Sequence, residues 1–418
     1  MLAIGLFLTP GKWNLASWPV QRAELVSYAG WLQLMGADVT LAGDHVHVSA
    51  AFRTGNAANA RPVSATVRLM TREVVWAADS ESLPADDWTT AVPRRLDFDL
   101  PLAAGTPAGV YDLEIEVVFD GGVIGPDSTS LSYGAPRVGA VTLGPLAVGS
   151  PVAGAAAGKI PTSADFGPLE LAGWQPPADA HQGQLVPINL WWTAKAVAPG
   201  AGWGISLHVV DDRGQVWAGH DDQPRLGYNP TSLWQPGQLE RDVQMALLPH
   251  GMPPGEYQVL AGWYDIASKA PVGPQNVPIG KMAVGPASHP DARLLDIPRR
   301  LQHDFPQGLR LLGYELPRTR AVAGQTVSLR LFWQATEPPQ RDYNLSLSFN
   351  GHSAQLPLPA TSRWQKDQLM ETRLSLATQP DWAGSGRLGL SLDGSQPEVE
   401  LPDTLTLDAP LRLTERLA

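Results

Sequence analysis

The densest group of residues able to do chemistry is His220-Asp221-Asp222, with Asp211 and Asp212 a few positions earlier. Carboxylates drawn from two turns can bind calcium, which takes six to eight oxygen ligands. A pair of acids held at a fixed separation can instead hydrolyse a glycosidic bond. The same residue types also close turns, because an Asp side chain accepts hydrogen bonds from nearby backbone amides. That plainer role is the favoured reading, and Asp211, Asp212, Asp221 and Asp222 stand behind it as calcium candidates. No metal and no cofactor is expected.

Other constellations are sparser. His45 and His47 lie two apart on the outward face of a strand, a geometry that seats a metal, but no third ligand accompanies them in sequence. Asp97-Phe98-Asp99 matches the Asp-x-Asp of metal-bound nucleotide-sugar sites, yet Leu96 to Leu100 alternates apolar and acidic like a strand with its acids toward water. Gly384 to Gly389 matches a Gly-x-Gly-x-x-Gly pattern, but it feeds a strand where a dinucleotide site needs a helix. Zincin, nucleophile-elbow, phosphate-loop and EF-hand motifs are missing from the sequence. With no cysteine there is also no thiol nucleophile, no disulfide framework and no Cys-based zinc site. The expectation is a protein that is not an enzyme.

Aromatic rings offer a second route to function, since a sugar stacks its C–H face on an accessible ring and bonds its hydroxyls to nearby polar groups. Trp191, Trp203, Trp217 and Tyr228 occur in fewer copies of the repeat described next, which sets them apart from shared core residues. The ligand surface expected from this is Trp217, His220, Asp222 and Tyr228. A contact between domains explains these rings as well as a sugar does.

What must position these residues is a β-module used three times. From each of Gly43, Gly183 and Gly324, positions +3, +5 and +7 are apolar and position +9 is aromatic, ending on Phe52, Trp192 and Trp333. Period-two alternation marks a half-buried strand. Trp88, Trp234 and Trp364 follow, and 21, 21 and 20 residues later Gly109, Gly255 and Gly384 open another alternating strand. Asp211-Asp212-Arg213-Gly214 reads as the turn of a hairpin. Only Ala23 to Met35 approaches a helical pattern, and a short helix is expected there. The fold class is therefore all-β, with three tandem antiparallel β-sandwiches of immunoglobulin-like type.

The divisions follow from composition. Residues 20–148 form sandwich one, 149–164 a small-residue linker, 165–285 sandwich two, 286–302 a second linker and 303–418 sandwich three. Residues 1–19 read as an N-terminal tail or the stump of a membrane helix. Their apolar run, Leu2 to Leu8, is far shorter than the ~20 residues that cross a bilayer. It has no recognisable signal-peptide flanks. A net charge of -11 repels phosphate backbones and anionic lipid, which argues against nucleic acid as a partner.

Copy two carries a long ordered signature: LELAGW at 169–174, LWWTA at 190–194, SLHVVDDRGQV at 206–216, GHDDQPRLGYNPTSLWQPGQ at 219–238 and LPHGMPPGEYQVLAGWYD at 248–265. This resembles the extracytoplasmic β-sandwich region of bacterial polytopic glycosyltransferases of the dolichyl-phosphate-mannose protein mannosyltransferase type, especially those of green filamentous bacteria. Copy three keeps LRLLGY and LRLFWQA but not the Asp-Gln-Pro and Pro-Thr-Ser turns. Copy one keeps little beyond TPAGVYDLEIEVVFD. Family catalytic residues lie in a membrane portion outside these sandwiches, so the resemblance carries no catalytic residue over. It implies a non-catalytic, extracytoplasmic module of the cell envelope that recognises glycan or serves a membrane glycosyltransferase. Its partners would be glycan, an envelope protein or a membrane protein. The alternative is a structural protein whose sandwiches self-assemble into a surface array or filament.

Overall fold

The computed structural model describes residues 26–54, 61–85, 88, 93–119, 122–124, 140–156, 165–394 and 398–410. The tail at 1–19 lies outside them. Among the described residues, twenty-five strands form three successive sandwiches, each with its own apolar core.

In module one, β1 (Val26–Tyr28), β2 (Leu32–Ala42), β3 (His45–Thr54) and β6 (Arg94–Pro101) make one sheet. β4 (Val63–Thr71), β5 (Val74–Leu83), β7 (Gly109–Phe119), β8 (Gly122–Val123) and β9 (Ala140–Val148) make the other. Module two packs β10 (Leu169–Gln175), β11 (Leu185–Ala194) and β14 (Leu239–Leu247) against β12 (Trp203–Val210), β13 (Val216–Asp222), β15 (Gly255–Asp265) and β16 (Pro271–Val284). In module three, β17 (Arg299–Phe305), β18 (Leu309–Glu315), β20 (Thr326–Ala335) and β23 (Leu369–Ala377) face β19 (Arg320–Val322), β21 (Asn344–Phe349), β22 (His352–Pro357), β24 (Gly384–Leu392) and β25 (Val399–Asp408). Among the described residues, the named strands pair antiparallel except for β19 beside β25. β17 starts at Arg299, inside the stretch read as a linker.

The repeated glycines turn the chain into equivalent strands. Gly43, Gly183 and Gly324 have φ of 64°, 78° and 95°, left-handed values that favour glycine, and β3, β11 and β20 begin two residues later. Phe52, Trp192 and Trp333 are all 0% exposed. In module two Trp192 and Trp234 both meet Trp263 edge-on, with centroids 4.9 and 6.1 Å apart.

Two expectations need correction. Ala23 to Met35 holds no helix among its described residues. Val26 pairs with Leu34 across a turn at Ala29 and Gly30, because the apolar residues Val26, Tyr28, Leu32 and Leu34 are spaced for a hairpin face. The Pro-Thr-Ser turn is not wholly lost from copy three. Thr361–Arg363 forms the same single 3-10 turn as Thr231–Leu233, and the hydroxyls of Thr231 and Thr361 accept the backbone N–H of Trp203 (2.7 Å) and Tyr343 (2.9 Å). Thr and Ser suffice for the turn, so losing the proline changed the letters and kept the bond.

Candidate functional site

The polar residues of module two separate along β13. Asp211 and Asp212 sit at the hairpin turn, whereas Asp221 and Asp222 sit at the opposite end of the strand. From Val216 to Asp221 is five residues, or roughly 17 Å at ~3.3 Å per residue, too far for the two acid pairs to share one cation. Asp211 is spent on the turn. Its Oδ1 accepts Arg213 N (3.0 Å) and Gln215 N (2.9 Å), and its Oδ2 accepts Trp217 Nε1 (3.1 Å). Asp222 Oδ1 accepts Gln223 N at 2.7 Å, and His220 Nε2 lies 3.9 Å from Asp222 Oδ2. Among the described residues no group of three or more His, Asp or Glu side chains is arranged to hold a metal ion.

Trp217 and Tyr228 are placed on different neighbours. Trp217 is 7% exposed, with the Arg373 guanidinium of module three 4.0 Å above its ring. Tyr228 is 55% exposed, and Arg72 of module one lies 5.6 Å over it. The two rings expected on one ligand surface therefore face different neighbouring modules, while His220 and Asp222 have their partners within module two. Trp191 and Trp203 are buried as well.

Those junctions are built alike. In the register of their strands, Trp191 faces Arg241 and Phe332 faces Glu371, so Arg241 and Glu371 hold the same position in modules two and three. Arg241 donates its backbone N–H to Gly105 O of module one (2.7 Å), and Glu371 donates to Gly251 O of module two (2.6 Å). Both glycines belong to a Gly-x-Pro-x-Gly-x-Tyr segment, Gly105 to Tyr111 and Gly251 to Tyr257. In each, the Tyr hydroxyl donates to the proline carbonyl four residues back. This resembles the tyrosine corner of immunoglobulin-like domains. A Cβ on Gly105 would sit 2.8 Å from Arg241 N, and one on Gly251 would sit 2.9 Å from Glu371 Cβ. Only glycine leaves room for the incoming strand.

An arginine completes each junction. Arg241 donates to Trp76 O (2.8 Å) and lies 5.3 Å over the Trp76 ring; Arg373 donates to Val216 O (2.6 Å) and covers Trp217. Trp76 and Trp217 are the central residues of a repeated Val-Trp-Ala. Arginine suits this place because its planar cation stacks on a ring while its N–H fork still bonds a carbonyl.

Module two adds a plug at the first junction. Arg225 has a left-handed φ of 52°, is 2% exposed and enters module one. Its guanidinium bonds Val110 O (2.6 Å), Ala108 O (3.3 Å) and Thr71 Oγ1 (3.3 Å), and lies 3.8 Å over Tyr111. Asp242, fully buried, holds the plug by accepting Arg225 N at 3.0 Å. Burial pushes the Asp242 carboxyl up to about 6 and Glu240 up to about 7, and draws Arg241 down to about 10.

At the second junction, burial likewise pushes the Glu371 carboxyl up. Hydrogen bonds from Arg330 (2.8 Å) and Arg373 (2.6 Å) outweigh it, and the net shift is downward. Gln182 bridges the modules through Nε2, donating to Met252 O (2.6 Å) and Leu369 O (2.9 Å). Leu295 and Ile297 of the connecting segment pack with Phe332 and Leu369.

Among the described residues, the outer faces of modules one and three do not repeat this pattern. Module three has Pro380 where Gly105 and Gly251 stand, and Trp382 two residues on stacks on His352 at 5.2 Å. Module one has Ala51 in the place of Trp191, and its Arg95 is held by Asp38 (2.9 Å) and Ser49 (2.9 Å). The same sheet face brings His45 and His47 to Asp99, with Nδ1–Oδ1 distances of 2.9 and 3.0 Å.

Sequence reasoning passed over Gly105, Gly251, Arg225, Arg241, Arg373 and Glu371. A usable signal was present: Val-Trp-Ala and Gly-x-Pro-x-Gly-x-Tyr occur in copies one and two but not three, as expected of surfaces that receive a following module.

No protein-family profile matches the chain. No curated protein matches it either. Solved structures aligned with it include an ICAM-5 D1-D4 ectodomain fragment, 12% identical with a TM-score of 0.17, covering 91% of this chain and 77% of that one. Another is Dpr2 Ig1-Ig2 in complex with DIP-Theta Ig1-Ig3, 10% identical with a TM-score of 0.15, covering 92% and 99%. Superpositions this loose carry no argument. The strand pairing itself defines the class of protein, an all-β chain of immunoglobulin-like sandwiches.

Proposed function

We propose that this chain is a non-catalytic module of the cell envelope, a stack of three sandwiches that serves a membrane-embedded glycosyltransferase on its outer side by holding it or recognising its glycan. The pair of matched junctions carries this reading. Two sockets, two stacked arginines and a buried plug are wasted on a chain whose domains act separately, whereas they suit one whose length and orientation matter. The siting of the shifted groups agrees with it. Perturbed carboxyls in an enzyme gather in a cleft, but Glu240, Asp242 and Glu371 are walled into junctions and committed to structural bonds. The sequence resemblance supplies the partner class.

An end-to-end filament would need an open socket at one end and a matching face at the other. Pro380 and Trp382 occupy the first place, and the Arg95 network occupies the second.

Photo-cross-linking of the chain on its native membranes, followed by mass spectrometry, tests the proposal. A multi-spanning glycosyltransferase should be the cross-linked partner. Turnover of glycosides or sugar nucleotides by the purified chain, or cross-links to other classes of protein alone, would overturn it.

A further inference from the structure

One short motif of the sequence serves neither the junctions nor the cores. Asn344-Leu345-Ser346 is the one Asn-x-Ser or Asn-x-Thr of the chain whose middle residue is not proline, which makes it the acceptor pattern for an N-linked glycan. Asn229-Pro230-Thr231 has the excluded proline, and its Asn229 side chain is spent on Glu240 Oε2 (2.9 Å).

The three sandwiches show what module three adds. Ala65, Ile205 and Leu345 are equivalent, because they face Val117, Trp263 and Leu392, each eight residues past the glycine that opens its strand, Gly109, Gly255 and Gly384. The following position carries a hydroxyl in every copy, Thr66, Ser206 and Ser346, and so belongs to the shared sheet. The preceding position carries Ser64, Gly204 and Asn344. In module two the Tyr264 ring covers that place, and a Cβ on Gly204 would lie 2.6 Å from Tyr264 Cζ. Module three has Asp393 instead, whose shorter side chain turns to Asn344 N (2.8 Å) and Arg341 Nη2 (2.8 Å). Asn344 is left uncovered.

The fold makes no use of the motif's two polar side chains. Asn344 is exposed and its carboxamide forms no hydrogen bond among the described residues, and Ser346 Oγ has no partner there either. Asn344 faces Pro357 of β22, which is exposed too and belongs to the last strand of its sheet. A bulky substituent at this place meets solvent.

We propose that Asn344 carries an N-linked oligosaccharide. The donor class is an oligosaccharide joined to a lipid diphosphate, and the catalyst is an oligosaccharyltransferase. Asn344 Nδ2 bonds to the anomeric carbon as the bond from that carbon to the diphosphate oxygen breaks; the diphosphate leaves with the electron pair, and one Nδ2 proton passes to a base of the transferase. Asp342, exposed two residues earlier, gives the acceptor segment a charge that a cation of the transferase can hold. Transfer precedes the folding of module three, because Leu345 is 0% exposed and Ser346 Oγ is buried, so the closed sandwich hides the motif. The proposal rests on the outer-side location given above and adds that the chain is itself a glycan acceptor.

The test is mass spectrometry of the full chain purified from the cells that make it and cleaved after lysine and arginine. The peptide spanning 342–363 should carry the added mass of an oligosaccharide, placed on Asn344 by electron-transfer fragmentation. Asn344→Gln and Ser346→Ala should each abolish the added mass, whereas Ser346→Thr should keep it. An unmodified 342–363 peptide, a glycan held by another residue of it, or an added mass that survives Ser346→Ala would overturn the site. Folded, unmodified chain returned to membranes of the same cells should gain no glycan; gaining one would overturn the order of transfer and folding. Cross-linking of the folded stack to its membrane partner does not depend on this modification, so the two ideas can fail separately.

Discussion

Gly109 shows how narrowly the first junction is fitted at the scale of one residue. Its φ is 145°, and a Cβ there would sit 2.2 Å from Arg225 Nη1, whereas Gly255, its counterpart in module two, has nothing within 4 Å. Gly109→Ala should therefore expel the plug. Chemical denaturation should show a loss of about 2 kcal/mol or more, because the buried Arg225 cation also loses its acceptors. Gly255→Ala avoids that clash and should cost less. Trp217 belongs to the same class of residue. It is covered by Arg373 and bonded to Asp211, so Trp217→Ala should destabilise by about 3–5 kcal/mol, measured by urea melts. A fall below about 1 kcal/mol would mean that the ring is free.

At the scale of elements, β14 and β23 make the same junction with opposite electrostatics. Glu240 on β14 is raised from its ordinary 4.5 to about 7 by burial. A raised carboxyl stabilises below its ordinary range, and that stability is lost as pH rises through about 7. Glu371 on β23 is lowered, so its contribution is present above 4.5 and lost as pH falls through its folded value. The first junction should tighten on mild acidification while the second loosens below the ordinary carboxyl range. Glu240→Gln should raise stability at about pH 8 by about 1–3 kcal/mol and change little at about pH 4. Glu371→Gln should do the reverse, destabilising at neutral pH with a deficit that shrinks in acid. Thermal melts across that range would show whether the two profiles slope in opposite directions.

Over the described residues, the two junctions join three sandwiches into one stack, whose outer faces on modules one and three are polar or closed. Distances between spin labels on modules one and three should be narrowly distributed in solution. Gly105→Val combined with Gly251→Val should broaden them by blocking both sockets, while leaving each sandwich core intact. A broad distribution in the unaltered chain would show that the junctions do not hold.

Alternation and glycine placement are local properties. A strand that buries every second side chain must carry apolar residues at that spacing, so β3, β11 and β20 and their buried aromatics were legible from residue order. The helix expected at Ala23 to Met35 failed for a related reason: Ala29 and Gly30 reverse the chain between two short alternating runs, and a window spanning both mixes their periods. The use of the unshared residues was not legible. Trp217 and Tyr228 were recognisable as additions to the shared core, but whether such a ring meets solvent, a sugar or a neighbouring module depends on what is brought across from far away in sequence. Arg241 reaches Trp76 from 165 residues away, and Arg373 reaches Val216 from 157. Hydrogen bonding and ring stacking are short-ranged and directional, so only the docking of the folded sandwiches could decide that these polar and aromatic residues form junctions.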